Sequence, residues 1–98
     1  MLKQFCAYTC ESQPVLIMTN TLFHSTEQVL VAPIKPRNTK HVIARLHIPI
    51  TMNAKAYYID LLDLATVFNR SISPKPLADF TNKHYEIKTG LDFLIDGF

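Results

Sequence analysis

The stretch LHIPITMNAKAYYIDL, residues 46–61, decides the fold class of this chain. Its two apolar runs, at 46–50 and 56–61, flank a turn at 52–54, and this is the pattern of a β-hairpin. The Asn-Ala pair in the turn is weaker turn chemistry than Asn-Gly. The middle of the chain is therefore predicted to be β-structure.

Four further segments are predicted to be strands. Residues 3–9 alternate between two faces, as a strand does. The apolar runs at 15–18 and 29–34 are too short for helices and are typical of buried strands, and 63–68 continues the sheet or crosses a corner. Because Pro33 cannot donate a backbone hydrogen bond, it predicts an edge or a bulge within its strand.

The clearest element is an amphipathic helix at the C-terminus. Its apolar residues recur at the spacing of one helical face: Ile87, Leu91, Leu94 and Phe98. Thr81 is a good N-cap, and Gly90 is expected to mark close packing against another backbone. Since 98 residues are too few for a second core, the chain is predicted to be one mainly β domain, residues 1–98, with a C-terminal α-helix.

Charge and composition exclude several classes of protein. The net charge of +2 does not by itself indicate nucleic-acid binding. Five basic and no acidic residues lie between Glu27 and Asp60, so this part is either a solvated loop or a docking surface for an acidic partner or a phosphate backbone. The chain has no secretion signal and no apolar stretch long enough to cross a membrane. We therefore expect a cytoplasmic protein with no membrane partner.

A search for chemistry in the sequence finds no active site. The four histidines lack the spacing of metal ligands, and the only glycines, Gly90 and Gly97, do not form a phosphate loop. Cys6 and Cys10 are too far apart on one strand to form a disulfide, so we expect reduced thiols. In a strand, Asp60 and Asp63 would point to opposite faces. No catalytic residue, metal or cofactor is predicted.

Several stretches nevertheless occur in a familiar order along nearly the whole chain. They are QFCAYTCES at 4–12, LVAPI at 30–34, LHI at 46–48, DLATV at 63–67, LADF at 77–80, and the helical segment from 86 to the terminal Gly-Phe at 97–98. The set resembles the CcdB family, the small bacterial toxins of toxin–antitoxin modules that act on DNA gyrase. No single stretch is diagnostic, but the collinear set is specific.

This resemblance implies a fold and a function. The fold would be an SH3-like β-barrel of the CcdB/Kid/MazF type with an additional small sheet, assembled as a homodimer. The function would be binding to the A subunit of DNA gyrase and trapping of its complex with cleaved DNA, without catalysis by the toxin itself. A CcdA-like antitoxin with an acidic, flexible segment would neutralise the toxin and repress the operon together with it. DNA would be contacted only through these partners.

The resemblance also implies site residues. The gyrase-contacting set would be Asp92, Ile95, Asp96, Gly97 and Phe98, together with Leu22 and Phe23. Asp96 stands where the best-known member of the family has Trp, and this departure puts the potency in doubt, since aromatic anchors often dominate interface energy. The antitoxin would dock on the basic stretch, at Lys35, Arg37 and Lys40.

Two alternatives remain open at the sequence level. A sister family with the same barrel, the MazF and Kid type, cuts single-stranded mRNA, and here Arg45, His47 and Asp60 would be the residues available for such chemistry. The apolar Gly-Phe ending favours the gyrase type instead. The second alternative is an inactive toxin homologue that only binds an antitoxin.

Overall fold

The computed structural model describes residues 2–19, 27–37 and 45–97. Within these residues the chain forms seven strands and one α-helix. The elements are β1 Cys6–Cys10, β2 Gln13–Ile17, β3 Gln28–Pro36, β4 His47–Met52, β5 Lys55–Asp60, β6 Ala65–Phe68, β7 Ala78–Asp79 and α1 His84–Asp96. The prediction of a mainly β domain with a C-terminal helix is confirmed.

The strands form one antiparallel sheet in the order β4-β5-β3-β2-β1-β7, with β6 also paired to β3. The long strand β3 organises this sheet. One of its edges pairs with β2, and the other pairs first with β6 and then with β5. Because successive parts of β3 have different neighbours, the sheet curls into the SH3-like barrel type that was predicted.

Pro33 lies at the point where β3 changes partners. The pairing with β6 ends at Val31, and the pairing with β5 begins at Ile34, so Pro33 faces the gap between these two strands while it pairs with Val15 of β2. A missing backbone donor does least harm in such a gap. The predicted interruption is therefore real, although β3 is a central strand and not an edge.

Two tight turns join neighbouring strands into hairpins, one of them predicted from the sequence. The β4–β5 turn consists of Asn53 and Ala54, with φ values of 53° and 63°. The β1–β2 turn consists of Glu11 and Ser12, with φ values of 50° and 72°. Two consecutive residues with positive φ match the right-handed twist of the flanking strands. The hairpin predicted from the central stretch is confirmed.

The sheet carries a hydrophobic cluster on each face. Phe5, just before β1, and Ala7 face one cluster, which also receives Ile87 of α1, while Cys6 and Tyr8 face the other. Strand β1 is therefore buried on both sides, as the apolar side chains on both of its faces require. The cysteines are buried free thiols, as predicted.

The start of the C-terminal helix differs from the prediction. A 3-10 turn at Thr81–Lys83 precedes α1, and Thr81 is not its N-cap. Instead, the backbone N–H and the hydroxyl of Thr81 both donate to Asp79 Oδ1, at 2.8 Å and 2.7 Å. Both hydrogen bonds lower the pKa of Asp79 below its usual value, and the bond from the backbone N–H has the larger effect. An aspartate two residues ahead of a donor competes well for this role because its short side chain closes a local turn.

Helix α1 packs on the sheet mainly through its first half. Ile87 and Gly90 are buried, Leu91 is half-buried, and Ile95 is 79% exposed. A Cβ on Gly90 would lie 2.3 Å from the carbonyl oxygen of Arg45, so the predicted close approach of two backbones is confirmed. Among the described residues, no helix is long and apolar enough to span a membrane.

Candidate active site

Two carboxylates converge at the end of β5. The strand stops at Asp60, whose Oδ1 accepts a hydrogen bond from the backbone N–H of Leu62 at 3.0 Å, and the chain then makes a 3-10 turn at Leu61–Asp63. Lys35 Nζ lies 2.7 Å from Asp60 Oδ2 and 3.1 Å from Asp63 Oδ2. The prediction of opposite faces is wrong because a 3-10 turn, with about three residues per turn, returns the side chain three residues later to the same side.

His47 joins this group from the neighbouring strand. The register of the β4–β5 hairpin places His47 directly opposite Asp60, and Nε2 lies 3.1 Å from Oδ1. Both side chains are less than a tenth exposed. The imidazole also packs edge-on against Tyr58, with ring centroids 4.8 Å apart. A chain of polar contacts therefore runs from Lys35 through Asp60 to His47.

The charges of this chain stabilise one another. Burial raises the pKa of Asp60, but the hydrogen bonds from Lys35 and Leu62 and the charges of Lys35 and His47 outweigh it, so the pKa lies below its usual value. The hydrogen bond to Asp60 raises the pKa of Lys35, and burial opposes this only in part. Asp60 is therefore an ionised, buried carboxylate that holds an imidazole by one nitrogen.

His47 lines a cavity. The cavity lies between β4 and the first turns of α1 and has a volume of about 260 Å³. Its lining residues are Arg45, His47, Ile48, Pro49, Tyr85, Glu86 and Thr89. Tyr85 is 73% exposed, so its ring is open to a ligand. The cavity is called the β4–α1 cavity below.

Arg45 is held at this cavity by its backbone and its side chain. Its φ of 75° is unusual for a residue with a Cβ, and its carbonyl group packs closely on Gly90. Its guanidinium lies over the ring of Phe93, 5.4 Å from the centroid. These contacts fix a positive charge at one side of the β4–α1 cavity.

The β4–α1 cavity thus combines groups with complementary chemistry. A guanidinium binds phosphate in a fork geometry, an imidazole and a carboxylate can exchange protons, and an exposed phenol ring can stack on a nucleobase. In the described part of the chain, no group of three or more His, Cys, Asp or Glu side chains is placed to hold a metal ion. The set is suited to acid–base chemistry on a phosphodiester.

The structure brings together the residues that the sequence offered for the nuclease alternative. Arg45 and His47 line one cavity, and Asp60 Oδ1 contacts Nε2 of His47. Tyr85 and Glu86 were missed, since each is an ordinary residue in the first turn of an amphipathic helix. The spacing of three between Asp60 and Asp63 is the one signal that could have revealed the acid pair, had a 3-10 turn been recognised there.

The residues predicted to contact gyrase lie elsewhere. Asp92, Ile95 and Asp96 are exposed on the second half of α1. Gly97 ends the helix in the left-handed region, with φ of 76°, and its N–H donates to the carbonyl of Phe93 at 2.8 Å. It therefore serves as a helix stop. The remaining members lie outside the described residues: Leu22, Phe23 and Phe98.

The residues predicted to bind the antitoxin are not equivalent. Lys35 is tied to Asp60 and Asp63, so its charge is already compensated within the fold. Arg37 is exposed, while Lys40 lies outside the described residues. Their role in docking stays a prediction.

Comparisons with known proteins bear on the fold. No family model and no curated protein matches the sequence. Among solved structures, Mycobacterium tuberculosis toxin MazF-mt6 matches with a TM-score of 0.78 and 14% identity, over 93% of this chain and 96% of that one. The chain has the MazF-type fold. An endoribonuclease in complex with its cognate antitoxin, from a mycobacterial species, matches with a TM-score of 0.75 and 16% identity, over 97% and 95% of the two chains.

These matches correct two expectations. The assignment to the CcdB family is wrong, because the matching structures are described as a MazF toxin and as endoribonucleases, not as gyrase inhibitors. For the same reason, the expectation that the chain is no enzyme and binds the A subunit of gyrase is not upheld. The misleading stretches lie largely in strands, and strands of a shared barrel carry the same apolar pattern whatever the toxin attacks.

Proposed function

We propose that this chain is the toxin of a toxin–antitoxin module and that it cleaves single-stranded RNA in the β4–α1 cavity. The observation that carries the proposal is the meeting of Arg45, His47 and Glu86 in one cavity, with Asp60 behind the imidazole. The fold, shared with endoribonucleases, supports it. The sequence supplied this reading as an alternative, and the geometry favours it.

The chemistry would be attack by the RNA on its own backbone. Glu86, an exposed carboxylate, takes the proton of the 2′-hydroxyl as that oxygen bonds to the neighbouring phosphorus. The bond from phosphorus to the 5′-oxygen breaks, and His47 in its protonated form gives this leaving oxygen a proton. The products are a 2′,3′-cyclic phosphate and a free 5′-hydroxyl, so atoms and charges balance.

The remaining residues of the cavity assist this reaction. Arg45 faces the negative charge that grows on the phosphate oxygens in the transition state, and its strained backbone holds it in place before substrate arrives. The ionised Asp60, 3.1 Å from His47 Nε2, orients the imidazole, as a buried carboxylate does for a catalytic histidine. Tyr85 offers its exposed ring to a base next to the cleaved bond.

The proposal includes a protein partner. One of the matching endoribonucleases is described as a complex with its cognate antitoxin, and we infer a partner of this kind for the present chain. The exposed Arg37 is a candidate contact for an acidic antitoxin segment. A single domain over residues 1–98, a homodimer and a cytoplasmic location belong to the same proposal.

The test compares two variants with equal changes in charge. Glu86→Gln removes the carboxylate from the cavity, and Asp92→Asn removes one from an exposed site on the same helix outside it. With labelled single-stranded RNA, we expect Glu86→Gln to lower kcat by about 100-fold or more and Asp92→Asn to leave it unchanged. Arg45→Gln should behave like Glu86→Gln.

Two further observations check the mechanism. RNA in which the 2′-hydroxyl at the cleaved position is replaced by hydrogen should remain intact, and the cleaved ends should be a cyclic phosphate and a 5′-hydroxyl. Wild-type protein that cuts no RNA, or cleavage that persists equally in Glu86→Gln, would overturn the proposed function.

A further inference from the structure

A second cavity lies beside the first one along β4. It has a volume of about 350 Å³, and Pro49 lines both cavities. Its walls come from β4, from the residue after β3, from β7 and from the segment leading into α1. The lining residues are Arg37, Pro49, Ile50, Thr51, Asp79, Phe80, Asn82 and Lys83. It is called the Arg37–Lys83 cavity below.

Two basic side chains make this cavity positively charged. Arg37 and Lys83 both line it, and neither is among the ion pairs formed by the described residues. Its one carboxylate, Asp79, accepts two hydrogen bonds from Thr81 and is thus engaged within the fold. The cavity keeps an excess of positive charge, and an anion is the ligand that this charge favours.

Backbone hydrogen bonds fix the main-chain positions of Arg37 and Lys83. The N–H of Arg37 donates to the carbonyl of Ala56 at 3.1 Å, which fixes the residue to β5 beyond the end of β3. The N–H of Lys83 donates to the carbonyl of Phe80 at 2.9 Å, within the turn before α1. The backbone positions of both residues are therefore fixed by the fold, and their side chains reach into one cavity.

Strand β4 connects the two cavities. Between His47, in the β4–α1 cavity, and Thr51, in the Arg37–Lys83 cavity, the strand advances by about 13 Å at its usual rise per residue. Pro49 and Thr51 are both exposed along this path. A short run of nucleotides covers this distance, so one strand of RNA could occupy both cavities at once.

We propose that the Arg37–Lys83 cavity binds a backbone phosphate of the RNA beside the bond that is cleaved. This inference rests on the proposed function of the β4–α1 cavity, and it adds a site that determines how the substrate is held. The hydroxyl of Thr51 and the amide of Asn82 are neutral hydrogen-bonding groups suited to sugar or base edges. They favour a nucleic acid over an acidic peptide as the occupant.

The experiment measures binding and cleavage separately. The double variant Arg37→Gln/Lys83→Gln is compared with Lys55→Gln/Lys88→Gln, which removes the same charge at exposed positions outside both cavities. Binding of a single-stranded oligonucleotide without 2′-hydroxyls is followed by fluorescence anisotropy at several salt concentrations. Cleavage of the corresponding RNA gives KM and kcat.

We expect the cavity variant to bind about ten times more weakly at moderate salt. The slope of log affinity against log salt should fall by about 0.7, since one phosphate contact on a single strand contributes about 0.7. KM should rise while kcat stays near the wild-type value. The control variant should keep most of the affinity of the wild type.

The outcomes separate this inference from the proposed function. Binding that depends on Arg37 and Lys83, without any cleavage, would overturn the function and support the phosphate site. Cleavage with equal KM in both double variants would support the function and overturn the phosphate site. If an acidic peptide such as polyglutamate bound through the two cations and the oligonucleotide did not, the cavity would serve a protein partner and the inference would fail.

Discussion

Among single residues, Asp60 has the largest structural role in the candidate site. Its two oxygens contact Lys35, His47 and the N–H of Leu62, so one carboxylate fixes three groups. Replacing it by Asn leaves a buried amide among partners that require a negative charge. We expect Asp60→Asn to lower the free energy of unfolding by about 3 kcal/mol, as for a broken buried ion pair. Urea denaturation followed by circular dichroism measures this loss.

The dependence of stability on pH should change in the same variant. The pKa of Asp60 is lower in the folded protein than its ordinary 3.8, so its contribution is full above that value and is lost as pH falls through the folded pKa. The pKa of Lys35 is raised above 10.5, so its contribution is full below that value and is lost as pH rises through the folded pKa. Asp60→Asn should weaken both dependences. An unchanged acid limb would contradict the assigned pair.

A second residue-scale prediction concerns Gly90. A methyl group there would lie 2.3 Å from the carbonyl oxygen of Arg45 and 2.5 Å from Leu61 Cδ1. Alanine improves helix propensity by up to about 1 kcal/mol, but overpacking against a backbone costs more. Gly90→Ala should therefore lower stability by about 1–2 kcal/mol net, as measured by chemical denaturation. Lys88→Ala, at an exposed position of the same helix, should be nearly neutral.

The sequence predicted these residues unevenly. The packing of Gly90 and the free thiols could be inferred, because each follows from local pattern. The grouping of Lys35 with Asp60 and Asp63 could not, since it depends on β3 lying next to β5 and on a 3-10 turn replacing the end of a strand. Contacts between residues distant in sequence depend on which strands are neighbours in the sheet, and the alternation of residues within one strand does not specify its neighbours.

Among the elements, the β4–β5 hairpin has a turn in which a single substitution should increase the stability of the protein. Ala54 takes a φ of 63°, which costs an L-residue about 1 kcal/mol and costs glycine nothing. Ala54→Gly should raise the melting temperature by several degrees, corresponding to about 1 kcal/mol. Ala56→Gly, two residues later in the extended strand, should lower it instead. Thermal denaturation of both variants decides whether the turn has this geometry.

The apolar face of helix α1 is buried in its first half and exposed in its second half. Ile87 is fully buried, whereas Ile95, two turns later, is 79% exposed. Ile87→Ala should cost about 2–5 kcal/mol through the cavity that it leaves. Ile95→Ala should change stability by less than about 0.5 kcal/mol. Equal losses in urea denaturation would show that the second half of the helix packs on the protein in solution.

The existence of α1 could be predicted from the spacing of its apolar residues, but its start could not. Thr81 has the composition of an N-cap, and the competing acceptor, Asp79, lies only two residues earlier. Both are favoured at such positions, and the choice between them depends on the short strand β7 that orients Asp79. The pairing of β7 with β1 therefore determines where α1 begins, and the local preferences of Thr81 and Asp79 do not.

For the whole molecule, the barrel class was easier to predict than its activity. The apolar strands specify a curled antiparallel sheet, and this sheet is shared by toxins with different targets. The proposed site instead depends on exposed side chains such as Glu86, Arg37 and Tyr85, on which burial places no constraint. Apolar patterns in a sequence reflect which residues are buried, so they predict the fold better than they predict an exposed site.

The pairing of the sheet predicts how protection against hydrogen exchange is distributed. Amides of β1, β2 and β3 lie between neighbouring strands and two hydrophobic clusters, so they should exchange most slowly, through global unfolding. Amides of the short strand β7 and of α1 beyond Leu91 should exchange through local opening. Mass spectrometry of exchanged peptides measures this order, and equally slow exchange at the helix end would contradict it.

The position of β1 has a consequence for the synthesis of the protein in the cell. It leaves the ribosome before the other described strands, yet it lies between β2 and β7 and packs near residues of the C-terminal helix. The edge that β7 covers stays open until the segment just ahead of α1 has been translated. A nascent chain therefore cannot complete its sheet until the segment just ahead of the last helix has been translated.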